Sequence, residues 1–257
     1  MTIRAGSPGE WVSIDNNGLA LRCWWSVDGD SLGDADTITQ INRVYIVLPE
    51  VFGVNAWVRG VAGRISLEGN PALAMPLFAR TAPKLELGYS DDDLLEGRWH
   101  KDLTTTDQIL IDLSASIGWM QARYPAAEIA VVGFCFGGHA ALLAATLPSV
   151  SSSIDFYGAG VSRTRPGGGP PSLELLSCVK GRLTCVCGTQ DPLIPVEDRA
   201  AIQAALSFEN PSGERLRYVE VEGADHGFMC EARSNYNPVA AARGWELLLE
   251  DLETSDR

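Results

Sequence analysis

The chain has 257 residues, 46% of them hydrophobic and 21% charged, which suits one large globular domain with an ample core. Lys and Arg number 20 against 33 Asp and Glu, a formal charge of −13. Such an acidic chain is not expected to bind nucleic acid or an anionic membrane.

The N-terminal residues Met1-Thr2-Ile3-Arg4-Ala5-Gly6 have no apolar core of signal-peptide type, and no apolar run reaches the length of a membrane span. A cytoplasmic protein is therefore expected. Its six cysteines are expected to be free thiols rather than a disulfide framework. No Cys/His spacing suggests a metal site, and no cofactor is expected.

In chain order, Glu10–Ile14 and Leu19–Val27 read as an antiparallel pair around the turn Asn16-Asn17-Gly18. Val27–Thr39 reads as a polar loop. Val44–Leu48 is an apolar run of buried-strand type. Asn55–Leu67 suits a helix, weakened by Gly60 and Gly63, and Pro71–Leu77 leads back into the sheet. Thr81–Thr104 is irregular and reads as a flap or pocket wall, with Asp91-Asp92-Asp93 as solvated surface. Thr105–Arg123 has helical spacing at Ile109, Leu110, Leu113, Ile117 and Met120.

Glu128–Val132 reads as a strand and Gly138–Leu147 as a helix. Ile154–Tyr157 is a further strand, and Arg165–Pro171 a breaker-rich loop. Strand Leu183–Cys187, helix Val196–Ser207, strand Leu216–Val221 and helix Pro238–Leu252 follow. This alternation predicts a single α/β domain, a mostly parallel sheet with helices on both faces.

The segment Val131-Val132-Gly133-Phe134-Cys135-Phe136-Gly137-Gly138 joins a strand to a helix through Gly-x-Cys-x-Gly. That is the pattern of a nucleophile elbow carrying a thiol. Side chains two before and two after the nucleophile would strike neighbouring backbone, hence Gly133 and Gly137. Cys135 then sits at a helix N-terminus, where free N–H groups and the helix dipole favour an anion. Taken alone, the same residues also fit a buried structural cysteine beside a glycine turn.

A thiol nucleophile needs a base and an orienting acid, which follow it as acid then histidine in α/β-hydrolases. Asp191, in Gly188-Thr189-Gln190-Asp191-Pro192, follows one strand, and His226, in Gly223-Ala224-Asp225-His226-Gly227-Phe228, follows the next. Both fall at the sheet edge where catalytic groups gather. Of the other two histidines, His100 lies in the long loop and His139 at a helix start, and neither is expected to be the base.

These elements, with Leu48-Pro49-Glu50-Val51-Phe52-Gly53-Val54-Asn55 and Pro76-Leu77-Phe78-Ala79-Arg80, resemble the dienelactone hydrolase family of α/β-hydrolases. The resemblance implies a Cys135, His226 and Asp191 triad with Glu50 as a fourth catalytic residue beside the thiol. It also implies an oxyanion hole from the Val51 and Phe136 N–H groups, and Arg80 as the binder of a substrate carboxylate. The alternative for Arg80 is a surface salt bridge. The family's second carboxylate-binding arginine corresponds to Cys230 here, with Arg233 close by as a candidate substitute.

The expected activity is cysteine-dependent hydrolysis of a small ester or lactone through a thioester. The expected partner is a small molecule, anionic if Arg80 binds it, and the expected assembly a monomer or small homo-oligomer. The competing readings are a cyclase, isomerase or lyase on the same scaffold, and a non-enzymatic ligand-binding protein.

Overall fold

The structure is a computed structural model that describes residues 9–28 and 41–253. Most of the expected polar loop at 27–39 lies outside the described residues. The sheet has eight strands: β1 (Glu10–Asn16), β2 (Leu19–Ser26), β3 (Arg43–Leu48), β4 (Ala72–Ala74), β5 (Glu128–Phe134), β6 (Val150–Phe156), β7 (Arg182–Gly188) and β8 (Leu216–Val221). Their order is β1-β2-β4-β3-β5-β6-β7-β8. β2 runs antiparallel to both β1 and β4, and the remaining pairs are parallel. The β1–β2 hairpin turns on Asn17 (φ 53°) and Gly18 (φ 87°), both left-handed as a type I′ turn requires.

The central strands are apolar on both sides because both faces are covered. Along β3, Tyr45 and Val47 belong to one core cluster, while Val44, Ile46 and Leu48 belong to the other. Ala130, Val132 and Phe134 of β5 alternate in the same way with Ile129 and Val131. Helix α1 (Ala56–Leu67) packs Val58, Val61, Ala62 and Ile65 into the first cluster. Asn55 caps it, accepting a hydrogen bond from the Val58 N–H at 3.2 Å. No helix among the described residues is long and apolar enough to cross a membrane.

The long segment 81–104 is more ordered than its composition suggests. It contains helix α2 (Asp91–Asp102), started by a capping box in which Ser90 and Asp93 exchange hydrogen bonds. The aspartate run is thus the first turn of a helix, where negative charge meets the positive end of the helix dipole. Gly97 of α2 lies so close to the Val51 carbonyl that a Cβ would sit 2.4 Å from that oxygen. The segment is thereby packed onto the loop that follows β3.

Helix α3 (Thr106–Gln121) has its own capping box from Thr105 and Gln108, and it buries Ile109, Leu113, Ile117 and Met120 as its spacing predicts. A 3₁₀ turn at Ser172–Cys178, α5 (Val196–Glu209) and α6 (Pro238–Glu253) complete the layers, with α4 (Phe136–Ala144) buried throughout. The strand expected at Pro71–Leu77 shortens to the three residues of β4.

Candidate active site

Five neighbouring parallel strands deliver one side chain each beyond their carboxyl ends. Glu50 follows β3, Cys135 follows β5, Tyr157 follows β6, Asp191 follows β7 and His226 follows β8. This is the edge where open α/β sheets gather their ligands.

The elbow is as tight as its glycines imply. A Cβ on Gly133 would lie 1.8 Å from the Gly137 carbonyl oxygen, and one on Gly137 would lie 2.3 Å from the Leu48 oxygen. Between them Cys135 adopts φ 56° and ψ −118°, a conformation that costs a non-glycine residue of order 1–3 kcal/mol. Its N–H donates to the Phe156 carbonyl at 3.0 Å, which ties the elbow to β6. Phe136 opens helix α4. Among the described residues neither its N–H nor that of Val51 has a backbone acceptor outside the regular helices and strands.

Asp191 and His226 are both buried, and His226 Nδ1 lies 2.8 Å from Asp191 Oδ2. The other carboxylate oxygen accepts the Leu193 N–H at 2.8 Å, so Asp191 is held from two sides. Burial opposes a charge on His226. The neighbouring Cys135 sulfur, then the Asp191 hydrogen bond, overcome it and push the imidazole up to about 10. Even so, Nε2 completes no hydrogen bond of normal geometry. The contact between the ring and the Cys135 sulfur is thus loose, as catalytic contacts often are without substrate.

Glu50 is buried, and Arg233 donates to its Oε1 at 2.7 Å. Burial raises the Glu50 pKa, with Arg233 and then His226 pulling the other way. The guanidinium of Arg233 interacts with Cys135 as well as Glu50 and stands 5.7 Å from the Phe52 ring centroid. Beside this pair, Asn55 donates to the Tyr89 hydroxyl at 3.0 Å. Tyr89 comes from the segment at 81–104, which thus forms part of the site's wall. Cys230 is fully buried there, its thiol pushed up to about 12 by burial and then by Glu50. A neutral thiol stands where the resemblance leads one to expect a cation.

Arg80 is not brought into this group. Its guanidinium forks onto Asp112 of α3, at 2.5 and 2.9 Å, and Asp112 is itself buried and bonded by Asn16 at 2.6 Å. No described contact joins Arg80 to Cys135, His226, Asp191 or Glu50. The salt-bridge alternative is the one the geometry favours, because a buried carboxylate demands its cation.

The remaining histidines are occupied elsewhere. His100 bonds the Thr81 hydroxyl at 2.9 Å, and His139 bonds the Ser172 hydroxyl at 2.7 Å and the Ala159 carbonyl at 3.1 Å. A surface groove lined by Asn16, Leu110 and Ser114 contains none of the site's side chains.

Two site residues had little or no signal in the sequence. Arg233 had only its place a few residues beyond His226. Tyr157 had none, since it ends a strand pattern and carries no motif position.

The elbow, the acid–histidine order and the mixed eight-stranded sheet define an α/β-hydrolase. The chain belongs to the dienelactone hydrolase family, whose model matches residues 36–255. A Synechocystis sp. protein provisionally named a carboxymethylenebutenolidase is 38% identical over 213 residues, spanning 82% of this chain and 85% of that one. The carboxymethylenebutenolidase of Pseudomonas putida is 28% identical over 211 residues, spanning 81% and 84%. A solved structure from Klebsiella pneumoniae, provisionally named a dienelactone hydrolase, superposes with a TM-score of 0.80. It covers 94% of this chain and 96% of its own, at 23% identity. The protein is thus a hydrolase of this family.

Proposed function

We propose that the protein hydrolyses a small ester or lactone through a thioester on Cys135. The observation that carries this reading is the gathering of Cys135, Asp191 and His226 at the carboxyl ends of β5, β7 and β8, with a buried imidazole whose pKa is pushed up to about 10. His226, oriented by Asp191, is placed to take the thiol proton as Cys135 attacks and then to serve as the acid. The thiolate attacks the acyl carbon, and the oxyanion is met by the Val51 and Phe136 N–H groups. The leaving oxygen takes the proton from His226. Neutral His226 then takes a proton from water, which adds to the thioester and expels the thiolate. The relatives named carboxymethylenebutenolidase support a lactone as the bond attacked.

The test is intact mass after mixing with activated aryl esters and lactones. An acyl adduct located on Cys135 is the expected result. Turnover of some substrate with no adduct at any time, and no loss on Cys135→Ala, would instead favour cyclisation or elimination.

Arg233 is the site's candidate anion binder. A substrate carboxylate would compete with Glu50 for the guanidinium, and the displaced Glu50, its pKa already raised by burial, would serve as a second proton acceptor beside the thiol. Arg233→Met is expected to lower kcat/KM on an acidic ester about 10- to 150-fold relative to its neutral counterpart, the equivalent of roughly 1.5–3 kcal/mol for a charged hydrogen bond. Arg80→Met is expected to lower the unfolding free energy by a similar amount while treating both esters alike. Selectivity lost on Arg80→Met, and kept on Arg233→Met, would reverse the two roles.

A further inference from the structure

We infer that Tyr157 is a catalytic residue of this site: its hydroxyl binds the oxygen that departs in acylation and the water that takes its place in deacylation. The inference rests on the acyl-transfer reading and names a group that neither the elbow nor the triad supplies.

The starting point is polar atoms that lack partners. Buried side-chain groups without a hydrogen bond are costly and few in folded proteins. Among the described residues seven such atoms occur, and three of them belong to this one site: Glu50 Oε2, Tyr157 Oη and His226 Nε2. The Tyr157 phenol and Glu50 are also electrostatic neighbours, so a donor and an acceptor stand unpartnered in the same site as the ring nitrogen. Tyr157 is fully buried, so its hydroxyl is not turned to solvent.

The backbone is arranged to put it there. Tyr157 has φ 44°, in the left-handed region that bulky side chains rarely adopt. The strain is held by the surrounding hydrogen bonds. The Tyr157 N–H donates to the Val186 carbonyl at 2.8 Å, and buried Asp155 accepts the Gly158 N–H at 2.7 Å just beyond. The residue before it, Phe156, accepts the Cys135 N–H. The turn that anchors the nucleophile therefore also places this phenol.

The ring lies edge-on to the His226 imidazole, with centroids 5.2 Å apart at 66°, and equally against Phe228 at 5.2 Å. The phenol is pushed far towards its neutral form by burial first, then by Glu50, Cys230 and Cys135, with Arg233 opposing. It is thus a donor that keeps its proton, and it shares its surroundings with the charged groups of the site.

The chemistry selects the role. His226 Nδ1 is tied to Asp191, so the direction of Nε2 is fixed. The atom that Nε2 protonates in acylation and the atom it deprotonates in deacylation must occupy the same place. In acylation the C–O bond breaks, the oxygen takes the Nε2 proton, and the Tyr157 hydroxyl donates a hydrogen bond to that oxygen while its charge develops. In deacylation water enters there, gives its proton to Nε2 and its oxygen to the thioester carbon, and the C–S bond breaks. Tyr157 loses no proton in either step. A donor at this position is worth most for an oxygen that leaves reluctantly.

The experiment uses Tyr157→Phe in the full chain, which keeps the ring contacts. Esters of one acid are compared, with alcohols ranging from nitrophenol to a simple alkanol, and decay of the Cys135 acyl adduct is followed by intact mass. In kcat/KM, which reads acylation, the variant is expected to match the parent within about threefold on the nitrophenyl ester and to fall roughly 10- to 100-fold behind on the alkyl ester, while decay of the shared acyl adduct slows. Equal losses across the series with unchanged decay, or no loss at all, would overturn the assignment. Absence of any adduct in the unmutated protein would overturn the acyl-transfer reading and this role with it. Should Tyr157→Phe fail to fold, 3-fluorotyrosine at position 157 keeps the shape and strengthens the donor. It is expected to flatten the leaving-group dependence, and an unchanged slope would refute the role.

Discussion

Cys135→Ala is expected to abolish acyl transfer, with kcat falling by about 10⁴–10⁶, the loss seen when a triad's nucleophile is removed. The site offers no replacement. Cys185, Cys187 and Cys230 are buried thiols whose pKa values burial raises, and Cys178 is exposed outside the site. The same variant should be legible at the histidine. Cys135 is foremost among the groups that raise the His226 pKa against burial, so removing it should lower that value from about 10, read as the imidazole titration by NMR.

The sign for stability follows. The folded pKa lies above the ordinary 6.5 of an unfolded histidine, so the stabilisation is fully present below pH 6.5 and is lost as pH rises through about 10. The parent should lose stability relative to Cys135→Ala across that window. Parallel pH–stability curves, or retained esterase activity, would contradict the coupling of Cys135 to His226 or the nucleophile respectively.

Asp191→Asn is expected to cost about 10⁴ in kcat while leaving the fold in place, as removing the orienting carboxylate does in triads generally. Asp191 has two duties, one to each oxygen: it fixes His226 Nδ1 at 2.8 Å and accepts the Leu193 N–H at 2.8 Å. Asparagine can keep the second through its carbonyl. It presents an N–H to Nδ1 and so favours the wrong imidazole tautomer. The expected signature is a large fall in kcat with little change in KM and an unfolding midpoint near the parent's. A loss under tenfold would remove Asp191 from the triad.

The parts legible in the sequence are those whose cause is local. Gly133 is dictated by the Gly137 carbonyl four residues on, a contact within the turn itself, whereas Gly137 is held to glycine by the Leu48 carbonyl at the end of the neighbouring strand. The helices at Ala56–Leu67 and Thr106–Gln121, the turn at Asn17-Gly18 and the apolar runs at β3 and β5 follow from periodicity and capping. The order Cys135, Asp191, His226 is readable because each residue follows a strand, and parallel strands all end at one edge. The exception is local too. The Ser90–Asp93 capping box hides a helix in the segment at 81–104, where aspartates and glycines resemble a loop.

What the sequence by itself determined was therefore the α/β architecture, the elbow and the chain order of the three candidate catalytic groups. The tertiary structure decided which arginine stands in the site. Arg80 and Arg233 are equal as cations in a string of letters, but Arg80 is claimed by Asp112 on a helix 32 residues away, while Arg233 reaches Glu50 across 183 residues. It also decided that the Tyr157 ring packs edge-on against His226 with its hydroxyl buried and unpaired. Buried charges and hydroxyls take whichever partner the fold delivers, and that choice is made by strand order and packing rather than by neighbours in the chain.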